Sequence, residues 1–168
     1  MIVKGIVLED FVNYKKPSMF VVFPSCTFKC ERECGGKRCQ NRGLIKEANI
    51  SIKEKDIVEA YMKNEISKAL VCGGLEPFDT FSDLYALVRE FCAACNDDVV
   101  IYTGYNKEEI SPLITYIGLL GEEMGNKIII KYGRYIPNKK SQYDEILGVD
   151  LASDNQYSEI ICGGKDGH

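Results

Sequence analysis

Histidine is nearly missing from this chain: the only one is His168, the last residue. Histidine is the commonest general base and metal ligand near neutral pH, so its scarcity argues against hydrolytic chemistry built on such a base. Long apolar runs are missing too. None approaches the ~20 residues needed to cross a bilayer, and no membrane partner is expected. An excess of positive charge is also lacking. Lys and Arg number 21 against 25 Asp and Glu, for a net charge of −4, whereas nucleic-acid modules usually carry a basic face; no nucleic-acid partner is expected. The opening MIVKGIVLEDF puts an acidic pair where a secretory leader would continue its apolar core, so a cytoplasmic location is expected. Repeats, low-complexity tracts and linker-like stretches are absent. One domain over residues 1–168 is therefore expected, with length enough for a single core.

What is present fits an ordinary globular protein: 45% apolar and 27% charged residues leave no case for disorder. Eight cysteines are many for a cytoplasmic chain, and metal or redox chemistry explains them better than disulfides. Cys26, Cys30, Cys34 and Cys39 share one short stretch, while Cys72, Cys92, Cys95 and Cys162 are scattered through apolar segments. Cys92 and Cys95 form a CxxC on a predicted helix. Their apolar surroundings favour buried structural thiols over a redox pair, and Cys72 and Cys162 read as core.

Periodicity predicts an N-terminal β-hairpin: a strand over residues 2–8, a polar turn over 13–17, and a strongly β-prone MFVVF at 19–23. Helices and strands alternate from Ser51 onward. Ser51 and Glu54 have capping-box spacing ahead of Ile57, Val58, Tyr61 and Met62. A buried strand over 69–72 runs into Gly73-Gly74. Asp79 and Thr80 can cap a helix carrying Leu84, Leu87, Val88, Phe91 and Cys95. A strand over 99–102 ends in Thr103-Gly104, and Asn106 with Glu109 makes a second capping box before Ile110, Leu113, Ile114 and Ile117. Strands over 128–130 and 158–162 follow. Such alternation implies an α/β fold of parallel strands with crossover helices, whose working loops lie at the carboxyl ends of the strands. Three unusual loops fall at such ends: the cysteine loop, GGLEP at 73–77, and Thr103-Gly104-Tyr105. The chain is too short for a full eight-unit barrel of ~250 residues, so an open, partial barrel with these loops at one mouth is expected.

The cysteine loop reads PSCTFKCERECGGKRCQNRGL. Soft thiolates on a compact loop suit an iron–sulfur cluster. Gly35 and Gly36 allow a tight fold, and Lys29, Arg32, Lys37 and Arg38 would favour thiolates. Spacing alone leaves a four-cysteine zinc site, and hence a zinc-binding interaction module, equally open.

The rest of the sequence moves the balance. Cys26-Thr27-Phe28-Lys29-Cys30 has the first half of the radical S-adenosylmethionine (SAM) signature. GGLEPF resembles the glycine-rich acidic loop of that superfamily, and EDFVNYKKPSMFVVFPSC, IYTGYNKEEI and LGVDLASDNQ resemble segments of the activating proteins of anaerobic ribonucleotide reductase. The resemblance implies an open partial (β/α) barrel of the radical SAM type. It implies a [4Fe–4S] cluster on three cysteines with one iron left open, and SAM as the second cofactor. Its implied activity is reductive cleavage of SAM to a 5′-deoxyadenosyl radical, which installs a glycyl radical on the large subunit of anaerobic ribonucleotide reductase. A flavodoxin-like protein would donate the electron. Another glycyl-radical enzyme or a peptide is the alternative target.

The signature has three residues and then two between its cysteines. Here Cys39-Gln40-Asn41 keeps the Asn of the family's Cys-His-Asn, so Cys39 aligns as the third ligand beside Cys26 and Cys30, with Cys34 as the alternative. The resemblance places Gly73, Gly74, Glu76, Thr103 and Gly104 against SAM, with Glu76 toward its ammonium. It also places Ser153, Asn155 and Gln156 at the pocket border. Leu75 is inserted relative to the family's loop.

Overall fold

A computed structural model of the chain describes residues 1–37 and 39–164, the Cys34 side chain excepted. Its strands are β1 (Ile2–Val3), β2 (Gly5–Asp10), β3 (Ser18–Phe23), β4 (Ile50–Ser51), β5 (Ala69–Gly74), β6 (Asp98–Tyr102), β7 (Lys127–Tyr132), β8 (Gln142–Asp144), β9 (Val149–Leu151) and β10 (Tyr157–Gly163). The helices are α1 (Lys29–Cys34), α2 (Glu54–Met62), α3 (Phe81–Ala94) and α4 (Ser111–Met124). Short 3-10 turns span Arg42–Lys46, Pro77–Thr80 and Lys107–Glu109.

Six strands form one mixed sheet in the order β10-β7-β6-β5-β3-β2. The inner four, β3, β5, β6 and β7, are parallel, and both edge strands run antiparallel to their neighbours. The parallel strands lie in the sheet in chain order. Right-handed crossovers between strands laid down in one direction put α2, α3 and α4 on the same face, and this leaves the opposite face for loops and the short α1.

The two faces can be read from the period-2 alternation of side chains. Met19, Val21, Phe23, Leu70, Cys72, Val99, Ile101, Ile128, Ile130 and Tyr132 point into the helix-side core, where Ile57, Leu84, Leu87, Phe91 and Ile117 meet them. Ala69, Val71, Val100 and Ile129 point the other way and are covered by Tyr14, Leu147 and Leu151. Burial on both faces explains why these strands read as nearly unbroken apolar runs.

Several local expectations hold. β2 and β3 form the hairpin, and the polar turn between them also buries Tyr14, whose hydroxyl donates to Asp98 Oδ2 at 2.8 Å. The Asn106–Glu109 capping box is formed, on the 3-10 turn that precedes α4. The Ser51–Glu54 box is not. Ser51 is drawn into β4, opposite Ile2 of β1, so α2 begins at Glu54 with Lys53 at its cap and no side-chain cap bond. Neither Asp79 nor Thr80 caps α3 through its side chain, because the turn Pro77–Thr80 leads directly into the helix. The last strand is present but antiparallel, returning along β7. The architecture is thus mixed α/β around a mostly parallel central sheet. Among the described residues no helix is long and apolar enough to cross a membrane.

Candidate functional site

The inner four strands are parallel, so their carboxyl ends deliver four loops to one edge of the sheet. The cysteine loop follows β3, Leu75-Glu76 follows β5, Thr103-Gly104 follows β6, and Gly133-Arg134-Tyr135 follows β7. They surround a cavity of about 580 Å³ on the face opposite α2, α3 and α4, with α1 at its wall. Cys26, Cys30 and Cys39 all lie on its wall, together with Gly74, Glu76, Thr103 and Gly104. Phe20, Val22, Tyr102 and Lys131, which point away from the helices, form its floor.

Glu76 joins two of these loops. It is 5% exposed, and its carboxylate accepts from the Thr103 hydroxyl at 2.7 Å, the Gly104 N–H at 2.8 Å and the Phe78 N–H at 3.2 Å. Its own N–H donates to Ser25 O at 2.8 Å, which fastens it to the cysteine loop. Burial raises the Glu76 carboxyl to about 7, against the three hydrogen bonds that favour its charged form. Lys131 faces the same cavity. Burial lowers its ammonium to about 8, with Glu76 opposing the shift.

The glycine pair serves first to let strands approach. A Cβ on Gly73 would lie 2.9 Å from the Phe20 ring, and one on Gly74 only 2.5 Å from Val22 Cγ1. Gly74 also has φ 87°, a conformation that side chains disfavour. Of the two, Gly74 reaches the cavity wall, and its carbonyl accepts from Asn41 Nδ2 at 2.7 Å.

The cysteine loop is held from several sides. Asp79 accepts from the Thr27 N–H and the Tyr105 hydroxyl, both at 2.6 Å. Phe28, at φ 52°, turns the chain into α1 and donates its N–H to Cys26 Sγ at 3.2 Å. Arg134, 8% exposed, grips Glu109 with two 2.8 Å hydrogen bonds and pairs with Glu33 of α1.

The expected cationic support for the thiols is arranged differently. Lys29 is engaged by Glu109 and Arg32 by the Thr27 carbonyl, Lys37 is exposed, and Arg38 lies outside the described residues. Burial and the neighbouring Cys39 raise the Cys30 thiol, opposed by a backbone hydrogen bond from Glu31 and by the Arg134 guanidinium. Burial pushes the Cys26 thiol up to about 12.

Other sequence expectations divide. Gln156 lines the cavity. Ser153 and Asn155 instead brace the loops behind it: Ser153 Oγ accepts from Ile136 N at 3.4 Å, and Asn155 Nδ2 donates to Arg134 O at 2.8 Å. Cys72, Cys92 and Cys162 are buried, and Cys95 caps α3. The Cys34 side chain and His168 lie outside the described residues. Arg134 and Lys131 were missed by sequence reasoning. The signal for them was topological, since Gly133-Arg134 follows the fourth parallel strand as Thr103-Gly104 follows the third.

The donor set fits an iron–sulfur cluster. Cys26, Cys30 and Cys39 are free, partly exposed thiols on one wall of an open cavity. Among the described residues, no three Cys, His, Asp or Glu side chains are gathered tightly enough to hold one metal ion.

A family model described as "4Fe-4S single cluster domain" matches residues 17–146. This span is more than half of the chain and contains the cysteine loop, Glu76, Thr103, Gly104 and Arg134. The chain belongs to this family of iron–sulfur proteins. No curated protein and no solved structure matches it.

Proposed function

We propose that this iron–sulfur protein is a radical SAM enzyme of the glycyl-radical activating type, built as an open partial (β/α) barrel. One observation carries the reading: Cys26, Cys30 and Cys39 share a single cavity with the buried Glu76 and the Thr103-Gly104 turn, at the carboxyl ends of parallel strands. Bound here, a reduced [4Fe–4S] cluster would supply the electron for reductive cleavage of SAM to methionine and a 5′-deoxyadenosyl radical. Cys26, Cys30 and Cys39 would hold the cluster and leave one iron open.

Glu76 would receive the α-ammonium of SAM. The Thr103 hydroxyl and Gly104 N–H hold its carboxylate in place, and an ammonium beside it would shift it toward the charged form. Lys131 adds positive charge to the cavity floor, opposite in sign to Glu76. Phe20, Val22 and Leu151 give part of the cavity an apolar lining. The radical acceptor is a glycine on the large subunit of anaerobic ribonucleotide reductase, with a flavodoxin-like donor supplying electrons in the cytoplasm. The resemblance of EDFVNYKKPSMFVVFPSC and LGVDLASDNQ to the reductase activators favours this target over another glycyl-radical enzyme.

The test is anaerobic reconstitution followed by dithionite and SAM. The expected products are 5′-deoxyadenosine and methionine, and added reductase should show a glycyl-radical doublet by electron paramagnetic resonance. Cleavage without that doublet defeats the partner assignment. An intact cluster with bound SAM and no cleavage defeats the enzyme reading, and a colourless zinc protein defeats both.

A further inference from the structure

We propose that Glu31 is a positioning residue that brings Cys39 back to the cluster site across the long gap after Cys30; the proposal rests on reading Cys39 as a cluster ligand. Eight residues separate Cys30 from Cys39. A segment of that length can extend to roughly 25 Å, so covalent connection leaves Cys39 free to lie far from Cys30. The shape of the loop has to be fixed by side-chain and backbone bonds, and four of those among the described residues end on Glu31.

The backbone of Glu31 makes the turn. Its carbonyl accepts from the N–H of Gly35, which ends α1 at φ 70°, and from the N–H of Gly36 at 3.1 Å. The side chain then closes the loop. One carboxylate oxygen accepts the Cys39 N–H at 3.0 Å, and the other is paired with the Arg42 guanidinium. Arg42 lies over the Phe28 ring, 5.0 Å from its centre. Glu31 thus links the residue after one thiol to the backbone of another.

A carboxylate that is 9% exposed is costly unless its oxygens are satisfied. Both oxygens of Glu31 are satisfied by groups that flank Cys39. The far side of the same segment is fastened by Asn41, which donates to Gly74 O. Cys39 therefore sits between two anchors, and of these only Glu31 bonds to its own amide. Groups that orient a metal ligand in this way typically carry a 10- to 100-fold effect on metal affinity, a range of roughly that order being expected here.

The experiment uses the full chain, reconstituted anaerobically with iron and sulfide. Glu31→Ala, Glu31→Gln and Cys39→Ser are compared with the parent. Cluster retention is read by chelator competition, and the reduced cluster by electron paramagnetic resonance; circular dichroism checks the fold. Glu31→Ala should weaken retention by about 10-fold or more and change the resonance line shape. Glu31→Gln keeps an oxygen for the Cys39 N–H and should recover most of both properties.

Parent-like retention and line shape in a folded Glu31→Ala protein would overturn the proposal. So would a folded Glu31→Gln protein that fails as badly as Glu31→Ala. A parent chain that takes up no four-iron cluster, or a Cys39→Ser chain that keeps a normal one, overturns it together with the ligand reading beneath it. The parent and Cys39→Ser samples thus separate that failure from a failure of the Glu31 link alone.

Discussion

Replacing Gly74 with Ala tests whether this glycine is required by strand packing before any ligand arrives. Two costs add. At φ 87° a side chain meets the left-handed penalty of about 1–2 kcal/mol. The new Cβ would also stand 2.5 Å from Val22 Cγ1 and 3.3 Å from Val22 Cα, an overpacking that typically costs about 1–3 kcal/mol. Together they remove about 2–5 kcal/mol from a domain whose whole stability is of order 5–15 kcal/mol. Thermal unfolding of the cluster-free protein, followed by circular dichroism, should show Tm lowered by roughly 10 °C.

Gly104→Ala is the control. Its φ is not in the left-handed region, and its Cβ would make only ordinary contact, 3.6 Å from Glu76 Oε2. Stability should stay within about 1 kcal/mol of the parent. A Gly74→Ala protein that melts like the parent but no longer binds SAM would refute the packing argument. The glycine would then be there for the ligand, as the sequence alone suggests.

Serine at Cys26, Cys30 or Cys39 should abolish the visible iron–sulfur absorption, because a hydroxyl replaces a thiolate poorly, and Cys34→Ser should retain it. The Glu76 carboxyl is raised from 4.5 to about 7 by burial. The folded state therefore keeps a proton that the unfolded state releases, and stability should fall as pH rises from about 4.5 to 7, by up to about 3 kcal/mol. Urea midpoints at intervals across that range should show the slope in the parent and not in Glu76→Gln; an identical slope in both would assign it elsewhere. Arg134→Met removes the link between Glu109 and Glu33, which are themselves partly exposed. It should cost about 1–3 kcal/mol and speed amide hydrogen exchange in α1, measured by mass spectrometry.

The sequence carried the strand and helix order because each inner strand is buried on both faces and each helix shows an apolar stripe. β5 and β7 were found a few residues short, since Gly73-Gly74 and Lys131-Tyr132 lack the apolar signal at strand ends. Ser51 shows why local motifs mislead: its capping spacing to Glu54 is sound, but pairing with Ile2 takes its backbone first. The meeting of the cysteine loop with Glu76, Thr103 and Gly104 was legible from topology alone. The role of Glu31 was not, because its two partners are Cys39 and Arg42, at spacings that match no local motif. Nor were the bracing roles of Ser153 and Asn155, which depend on how the chain after β7 returns to Arg134.

The one-sided helical layer separates two kinds of position along each strand. Near the carboxyl ends, Val21, Phe23, Ile101 and Ile130 face the helices, while their neighbours Phe20, Val22, Tyr102 and Lys131 face the cavity. Adjacent residues in the sequence therefore do different work, one packing the core and the next facing whatever occupies the cavity. A library that randomises only Phe20, Val22, Tyr102 and Lys131 would vary the cavity floor while leaving the helix-side packing in place. For a protein engineer, ligand preference here is addressable at alternate codons without first redesigning the core.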